Sequence, residues 1–226
     1  MGTVSFGLAL VVAPVLLLFL DPQSVVVIAN VLIVLLLSVV LFELRRHLKL
    51  GQIKGMIIGG IFAVPLGVFA LKVADPGLLR IIIGVVILIL GILILFNFKI
   101  PMVNHKIAGT TYGFLSSLSI TALSIGGPLA AIYVMSQRWS PPVMRVSLAF
   151  FFVSSYLIGC ILYFAAGLVN LDIVMNVGLL MPGLVLGFVL AKVILGRINE
   201  DIFRYAALAV ILSGSVMILV KEAAGL

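Results

Sequence analysis

Residues 81–96 read Ile-Ile-Ile-Gly-Val-Val-Ile-Leu-Ile-Leu-Gly-Ile-Leu-Ile-Leu-Phe, an apolar run without a charged residue. Apolar and polar positions do not alternate in it, as they would in a strand of a lipid-facing barrel. A helix that is apolar on all sides is stable in lipid or inside a bundle, and about 20 such residues cross a bilayer. The run therefore predicts a membrane-spanning helix.

The composition of the whole chain supports the same interpretation. Hydrophobic residues make up 64% of its 226 residues and charged residues only 9%, which leaves too little polar surface for a water-soluble globule. The net charge is +7, but nearly all the basic residues lie between apolar runs. The excess of basic over acidic residues therefore indicates how the chain is oriented in the membrane and where it contacts lipid headgroups. It does not imply a nucleic-acid partner.

Similar apolar runs, separated by polar breaks, fill the rest of the chain. We place spans near residues 3–20, 24–44, 53–72, 77–98, 107–137, 142–165, 173–195 and 202–221. The predicted fold is an all-α, polytopic membrane helix bundle of seven to eight spans. Pairs of glycines four residues apart allow helix backbones to approach closely. These pairs are Gly55 and Gly59, Gly109 and Gly113, and Gly183 and Gly187.

One pattern occurs twice in the chain. The stretch 66–73, Leu-Gly-Val-Phe-Ala-Leu-Lys-Val, recurs at 186–193 as Leu-Gly-Phe-Val-Leu-Ala-Lys-Val. A set of hydrophobic spans that recurs once per half is how many secondary transporters are built, with the substrate held where the halves meet. We therefore predict a first half at 1–98 with a short first segment, a connecting loop at 99–106, and a second half at 107–221.

The fifth apolar segment, 107–137, is too long for one straight crossing. Its centre carries several hydroxyl side chains, followed by Gly126-Gly127-Pro128. Proline removes a backbone donor and paired glycines favour non-helical dihedrals, so we predict a helix that breaks and restarts near Pro128. The alternative is a long tilted helix with a proline kink, whose hydroxyls bond to their own carbonyls.

A helix that restarts inside the membrane presents free N–H groups and a positive dipole end, which suit an anion. Arg145, one turn into the sixth span, could grip a sulfonate or carboxylate with its guanidinium, or could extend to the interface. Asn30 could donate its amide to the same site or form a helix-packing hydrogen bond. The predicted substrate-binding residues are Gly126, Gly127, Pro128, Thr121, Ser124, Arg145, Ser147, Pro14 and Asn30.

Other chemistries find little support in the sequence. The spans contain no Ser/His pair, paired carboxylates or cluster of metal-ligating residues, so we predict neither an enzyme nor a cofactor or metal site. Cys160 is the single cysteine, which excludes a disulfide framework within the chain. The expected partners are a small anionic substrate and membrane lipids. The oligomeric state stays open, with a homo-oligomer as one option.

Several short motifs rich in glycine and proline occur in the two halves. Gly126-Gly-Pro-Leu129 precedes Ser140-Pro-Pro-Val-Met-Arg-Val-Ser147, and the first half contains Phe6-Gly7 and Ala13-Pro14. Together they resemble the TauE/SafE family of sulfite and organosulfonate exporters along essentially the whole chain. The resemblance implies a multi-pass transporter of small, often sulfur-containing anions in the inner (plasma) membrane. Both glycine- and proline-containing segments would then lie near the substrate path.

The distribution of basic residues offers a test of topology. If all eight segments cross fully, the 14 basic residues divide equally between the two sides. If the fifth segment enters and returns as a re-entrant hairpin, only Lys72, Arg80 and Lys221 fall on one side and the rest on the other. Because basic residues concentrate on the cytoplasmic side, this asymmetry favours the re-entrant hairpin and inverted halves.

These observations predict a secondary transporter of a small anion, probed most directly by its flux. Two alternatives stay open at this point: a passive anion channel, which could use the same lining, and a membrane scaffold that does not transport.

Overall fold

The computed structural model describes residues 7–95, 107–137, 139–194 and 200–223, and within them the chain is helical and forms no strand. The helices are α1 (Gly7–Leu17), α2 (Pro22–Leu44), α3 (Leu50–Val73), α4 (Pro76–Leu95), α5 (Ala108–Leu123), α6 (Gly127–Ser136), α7 (Pro141–Ala165), α8 (Leu171–Ile194) and α9 (Glu200–Ala223). The prediction of an all-α membrane bundle is confirmed. The predicted connecting loop 99–106 lies outside the described residues.

Four segments among the described residues are long and apolar enough to cross a membrane. They are Pro22–His47, Leu50–Val73, Pro141–Ala165 and Leu171–Leu190. The first includes a short 3-10 turn, Arg45–His47, that leads from α2 towards α3.

Two of the polar breaks between the predicted spans, at Asp21 and Asp75, mark the first turns of helices. Asp21 precedes Pro22 at the start of α2, and its carboxylate accepts a hydrogen bond of 2.8 Å from the N–H of Ser24. Asp75 precedes Pro76 at the start of α4 and accepts a bond of 3.0 Å from Leu78 in the same way. An acidic cap followed by proline is a favoured helix start, because proline there gives up a donor that has no intrahelical partner.

The fifth segment is broken, as the sequence predicted. α5 ends at Leu123, Ser124 adopts a left-handed conformation with a φ of 61°, and α6 begins at Gly127. Pro128 lies in the first turn of α6, where its missing N–H leaves no helical bond unmade. The alternative of one long kinked helix is wrong.

The chain reverses direction at this break. Gly126 lies so close to α5 that an added Cβ would overlap the carbonyl oxygen of Ser116. Further along α6, Tyr133 lies against Gly109, where an added Cβ would be 2.8 Å from the tyrosine hydroxyl. The step from Gly126 to Tyr133 along α6 equals the step from Ser116 back to Gly109 along α5. The two helices are therefore antiparallel arms of a hairpin.

Contacts at the far end of the bundle establish that this hairpin is re-entrant. The guanidinium of Arg80, at the start of α4, forms an ion pair of 3.0 Å with the carboxylate of Glu222, at the end of α9. The ammonium of Lys221 donates to the carbonyl oxygen of Leu18, just after α1, at 3.1 Å. If α5 and α6 together crossed the membrane, the later helices would run the other way. Arg80 and Glu222 would then lie on opposite sides of a hydrocarbon core about 30 Å thick.

These contacts define two membrane faces. We call the one that carries Arg80 and Glu222 the Arg80 face, and the one that carries the Arg45–His47 turn the basic face. The hairpin starts and ends at the basic face, so α7, α8 and α9 run in directions opposite to α2, α3 and α4.

Glycines bring α3 and α5 into close parallel contact. A Cβ added at Gly59 of α3 would overlap the carbonyl of Thr110, and one added at Gly113 of α5 would overlap the backbone of Met56. The predicted close packing is confirmed for these glycines. Gly183 and Gly187 of α8, by contrast, have no described atom within 4 Å of an added Cβ. Elsewhere α2 packs against α7, and α4 against α9.

We expect Gly113→Ala to destabilise the protein and Gly183→Ala to leave it unchanged or slightly more stable. The added methyl at position 113 overlaps the α3 backbone, and such overpacking costs about 1–3 kcal/mol. The same methyl at position 183 meets open space and raises helix propensity. Thermal unfolding of both variants in the same detergent measures the difference. Equal melting temperatures would contradict the described α3–α5 contact.

A second prediction concerns topology. In a background in which Cys160 is replaced by alanine, single cysteines are introduced at the exposed positions Gln52, Ser140 and Asp172. We expect a membrane-impermeant maleimide to label positions 52 and 140 from the same side, because the re-entrant hairpin returns to the basic face. Position 172 should be labelled only from the other side. Labelling of positions 52 and 140 from opposite sides would show a full crossing.

Candidate functional site

The buried polar side chains concentrate around the break between α5 and α6. Buried polar residues among those described are Asn30, Ser116, Ser117, Thr121, Ser124, Ser147, Ser155 and Ser215. All but Asn30 and Ser215 belong to α5, to the break or to α7. The break is therefore the polar centre of an otherwise apolar core.

Asn30 of α2 connects three elements at this centre. Its side-chain nitrogen donates to the hydroxyl of Tyr163 on α7 at 2.5 Å and to the carbonyl oxygen of Ile120 on α5 at 3.5 Å. Its side-chain oxygen accepts a hydrogen bond of 3.0 Å from the hydroxyl of Ser124. Asn30 is fully buried, and these bonds use both ends of its amide.

Tyr163 completes the cap on the end of α5. Its hydroxyl donates to the carbonyl oxygen of Thr121 at 2.6 Å. The last carbonyls of any helix lack intrahelical partners, and in a membrane interior no bulk water can supply them. Asn30 and Tyr163 therefore provide from α2 and α7 the donors that the end of α5 needs.

Ser124 and Gly126 are held in place from both sides of the break. A left-handed conformation costs a non-glycine residue roughly 1–2 kcal/mol. The hydroxyl bond from Ser124 to Asn30 offsets this cost, and the N–H of Ser124 also bonds to the Ile120 carbonyl at 2.8 Å. On the other side, the hydroxyl of Ser116 donates to the carbonyl of Gly126 at 2.6 Å. The conformation of the break is thus set by side chains of α2 and α5.

The first turn of α6 differs from the end of α5, because its donors are left open. Gly126 and Gly127 are buried. The first helical bond is the one from Ala130 N–H to the Gly126 carbonyl, at 3.4 Å. In the described part of the chain, nothing accepts a hydrogen bond from the N–H of Gly127 or Leu129. These two N–H groups and the positive end of the α6 dipole lie at the break, about 15 Å of helix away from the basic face.

Ser147 provides a second unused donor. It is fully buried on α7, and its hydroxyl has no partner in the described structure. It lies two helical turns from Ser155, whose hydroxyl pairs with that of Ser117 on α5 at 2.8 Å. Ser147 is therefore on the same side of α7 as Ser155, nearer the basic face. A buried hydroxyl without a partner costs free energy, so a ligand or water that bonded to it would be favoured.

The structure brings together six of the predicted site residues and separates others. The six that meet at the break are Asn30, Thr121, Ser124, Gly126, Gly127 and Pro128. Of these, Thr121 uses its hydroxyl within α5, bonding to the Ser117 carbonyl at 2.8 Å, as in the alternative expected for such hydroxyls.

Arg145 and Pro14 are not in this cluster. Arg145 is exposed, one turn from the start of α7 at the basic face. This position agrees with the interface alternative for its side chain, and a role in substrate binding stays a prediction. Pro14 is buried against α9, where a Cβ added at Gly214 would lie 2.6 Å from the proline ring.

Tyr163 is the residue that sequence reasoning missed. It lies in the apolar stretch 156–163, Tyr-Leu-Ile-Gly-Cys-Ile-Leu-Tyr. A tyrosine hydroxyl within a membrane span needs a hydrogen-bond partner, so its presence there is a usable signal. The sequence does not identify that partner.

Long apolar helices, a re-entrant hairpin broken inside the membrane, and oppositely directed helices before and after it define a polytopic membrane protein with the architecture of a transporter. The model of the family described as Sulfite exporter TauE/SafE matches residues 1–218 of the chain. The chain therefore belongs to the TauE/SafE family of membrane transporters, as its motifs predicted. No similar curated protein and no similar solved structure was found.

We expect Tyr163→Phe to destabilise the protein by about 1–3 kcal/mol, because it leaves the Thr121 carbonyl without its donor. Tyr112→Phe is the matched control, since no described residue bonds to the Tyr112 hydroxyl and its ring stacks on Tyr133. Thermal unfolding in detergent compares the two. If both variants melt together with the parent, the hydroxyl of Tyr163 does not support the break.

Proposed function

We propose that this protein is a secondary transporter that moves a small anion, a sulfur-containing oxyanion or organosulfonate, across the inner (plasma) membrane. The observation that carries the proposal is the start of α6, where the N–H groups of the buried Gly127 and the half-buried Leu129 have no acceptor in the described structure. Membership of the TauE/SafE family supports the class of substrate.

The chemistry of the break suits an anion that must be bound and then released. The oxygens of sulfite or a sulfonate accept hydrogen bonds from backbone N–H groups, and a helix N-terminus contributes roughly half a positive charge. No Lys, Arg, Asp or Glu is fully buried among the described residues. A neutral set of donors compensates for lost hydration without the strong attraction of a buried cation, which would slow release.

Ser147 and Arg145 fit a route from the basic face to the break. Arg145 is exposed at that face and adds to the positive potential that attracts anions. Ser147 is buried on α7 with an unpaired hydroxyl among the described groups. An anion that moves inward would exchange water first for the guanidinium, then for the Ser147 hydroxyl and the N–H groups of α6.

The two predicted halves, 1–98 and 107–221, would act as inverted repeats. In this proposal α1 corresponds to α6: each contains a proline and runs to one face, α1 to the Arg80 face and α6 to the basic face. The pairing of α2 with α7 and of α4 with α9 supports such a relation, since counterparts meet at an axis of symmetry. Alternating access would then be a movement of one half against the other.

The basic face would be cytoplasmic. Eleven of the 14 basic residues belong to it when the hairpin is re-entrant, and Lys72, Arg80 and Lys221 to the other face. The positive-inside rule gives this orientation, in which the hairpin enters the membrane from the cytoplasm.

The test is transport by the purified protein in sealed vesicles. Sulfite, sulfoacetate and sulfate are offered one at a time, and the flux is measured with and without a proton or sodium gradient. We expect accumulation of sulfite or the organosulfonate above its equilibrium level when a coupling gradient is present. Flux that only runs downhill under every gradient would favour the passive channel, and no flux of any anion would contradict transport.

We expect Ser147→Ala to raise the KM for the transported anion about fivefold, the effect of one lost hydrogen bond of about 1 kcal/mol. Ser154→Ala is the matched control on the same helix, because the Ser154 hydroxyl already bonds to the Phe150 carbonyl at 2.8 Å. Initial rates over a range of concentrations measure both. A KM that is unchanged in both variants would remove Ser147 from the path.

A further inference from the structure

A groove of about 500 Å³ runs between α3 and α7 and opens on the outside of the bundle. Its wall on α3 extends from Leu50 to Ile61, and its wall on α7 includes Phe150 and Ile158. Eleven helical steps of about 1.5 Å make this roughly half the thickness of a hydrocarbon core. The groove therefore reaches from the basic face to the middle of the bilayer, the depth of one leaflet.

The inner part of this groove is apolar. Its two serines have hydroxyls that are already bonded, Ser154 to the Phe150 carbonyl at 2.8 Å and Ser155 to Ser117 at 2.8 Å. The other inner walls are aliphatic or aromatic side chains, including Ile58 and Ile61, which are 42% and 51% exposed. Such a lining suits a hydrocarbon chain and offers nothing to a hydrated anion.

The mouth of the groove is basic. Lys54 lines it, is exposed, and has no hydrogen bond or ion pair with a described residue. The adjoining stretch 43–54 contains four cations, Arg45, Arg46, Lys49 and Lys54, and a single carboxylate, Glu43. An occupant with an apolar chain below and a negative charge above matches both parts of the groove.

We propose that the groove between α3 and α7 binds an anionic phospholipid of the leaflet at the basic face. One acyl chain lies between α3 and α7, and the phosphate lies at Lys54. This lipid site is separate from the anion path, because Ser147 and the start of α6 do not line the groove.

The test uses the full chain in detergent with dioleoyl phosphatidylglycerol or dioleoyl phosphatidylcholine, and native mass spectrometry measures how much lipid stays bound. We expect the parent to retain phosphatidylglycerol about fivefold better than phosphatidylcholine, the effect of one lysine near a headgroup. Lys54→Gln should remove this preference. Lys72→Gln, an exposed lysine at the other end of α3, should keep it.

A second pair of variants tests whether an acyl chain must enter the groove. Gly51 lines the mouth of the groove with open space around it, so Gly51→Leu should obstruct the entry of an acyl chain and lower retention of both lipids. Gly187→Leu is the control, because that glycine also has open space but lies on α8. The proposal is overturned if Lys54→Gln behaves like Lys72→Gln or Gly51→Leu behaves like Gly187→Leu. Displacement of phosphatidylglycerol by free sulfite would also overturn it, since the groove would then belong to the anion path.

Discussion

The structure depends on how one interruption of a helix is satisfied inside a membrane. A break in a helix exposes backbone carbonyls on one side and N–H groups on the other, and a bilayer interior offers no water to either. Here the carbonyl side is closed by Asn30 and Tyr163, which come from two different helices. The N–H side is left open at Gly127 and Leu129 within the described structure. This asymmetry leaves unpaired hydrogen-bond donors at a break inside the membrane.

The same break determines the shape of the bundle. Because α6 returns along α5, the chain reaches α7 from the face at which it entered α5, and every later helix is reversed. Small residues make the hairpin fit: the close contact between Gly59 of α3 and α5 supports one arm, and the contact of Gly109 with Tyr133 joins the arms. The break therefore determines both how α5 and α6 pack and in which direction the later helices cross the membrane.

Much of the fold could be predicted from the sequence because the bilayer imposes simple rules. Apolar runs predicted the helices, and Gly126-Gly127-Pro128 predicted the break. The site was harder, since it depends on which helix faces which. Asn30 was expected either to donate to the site or to form a helix-packing hydrogen bond, but its bond to Tyr163 joins residues far apart in the chain. Gly183 and Gly187 show that a motif alone does not predict a contact. They have the same spacing as the glycines of α3 and α5, but no described atom lies near them.

The ion pair between Arg80 and Glu222 has a consequence for the order of assembly. It joins the fourth helix to the ninth, so α4 and its arginine are synthesised long before the carboxylate partner. During that interval the guanidinium must be satisfied by water and lipid phosphate at the membrane surface. The ion pair between Arg80 and Glu222 can therefore form only after α9 has been synthesised.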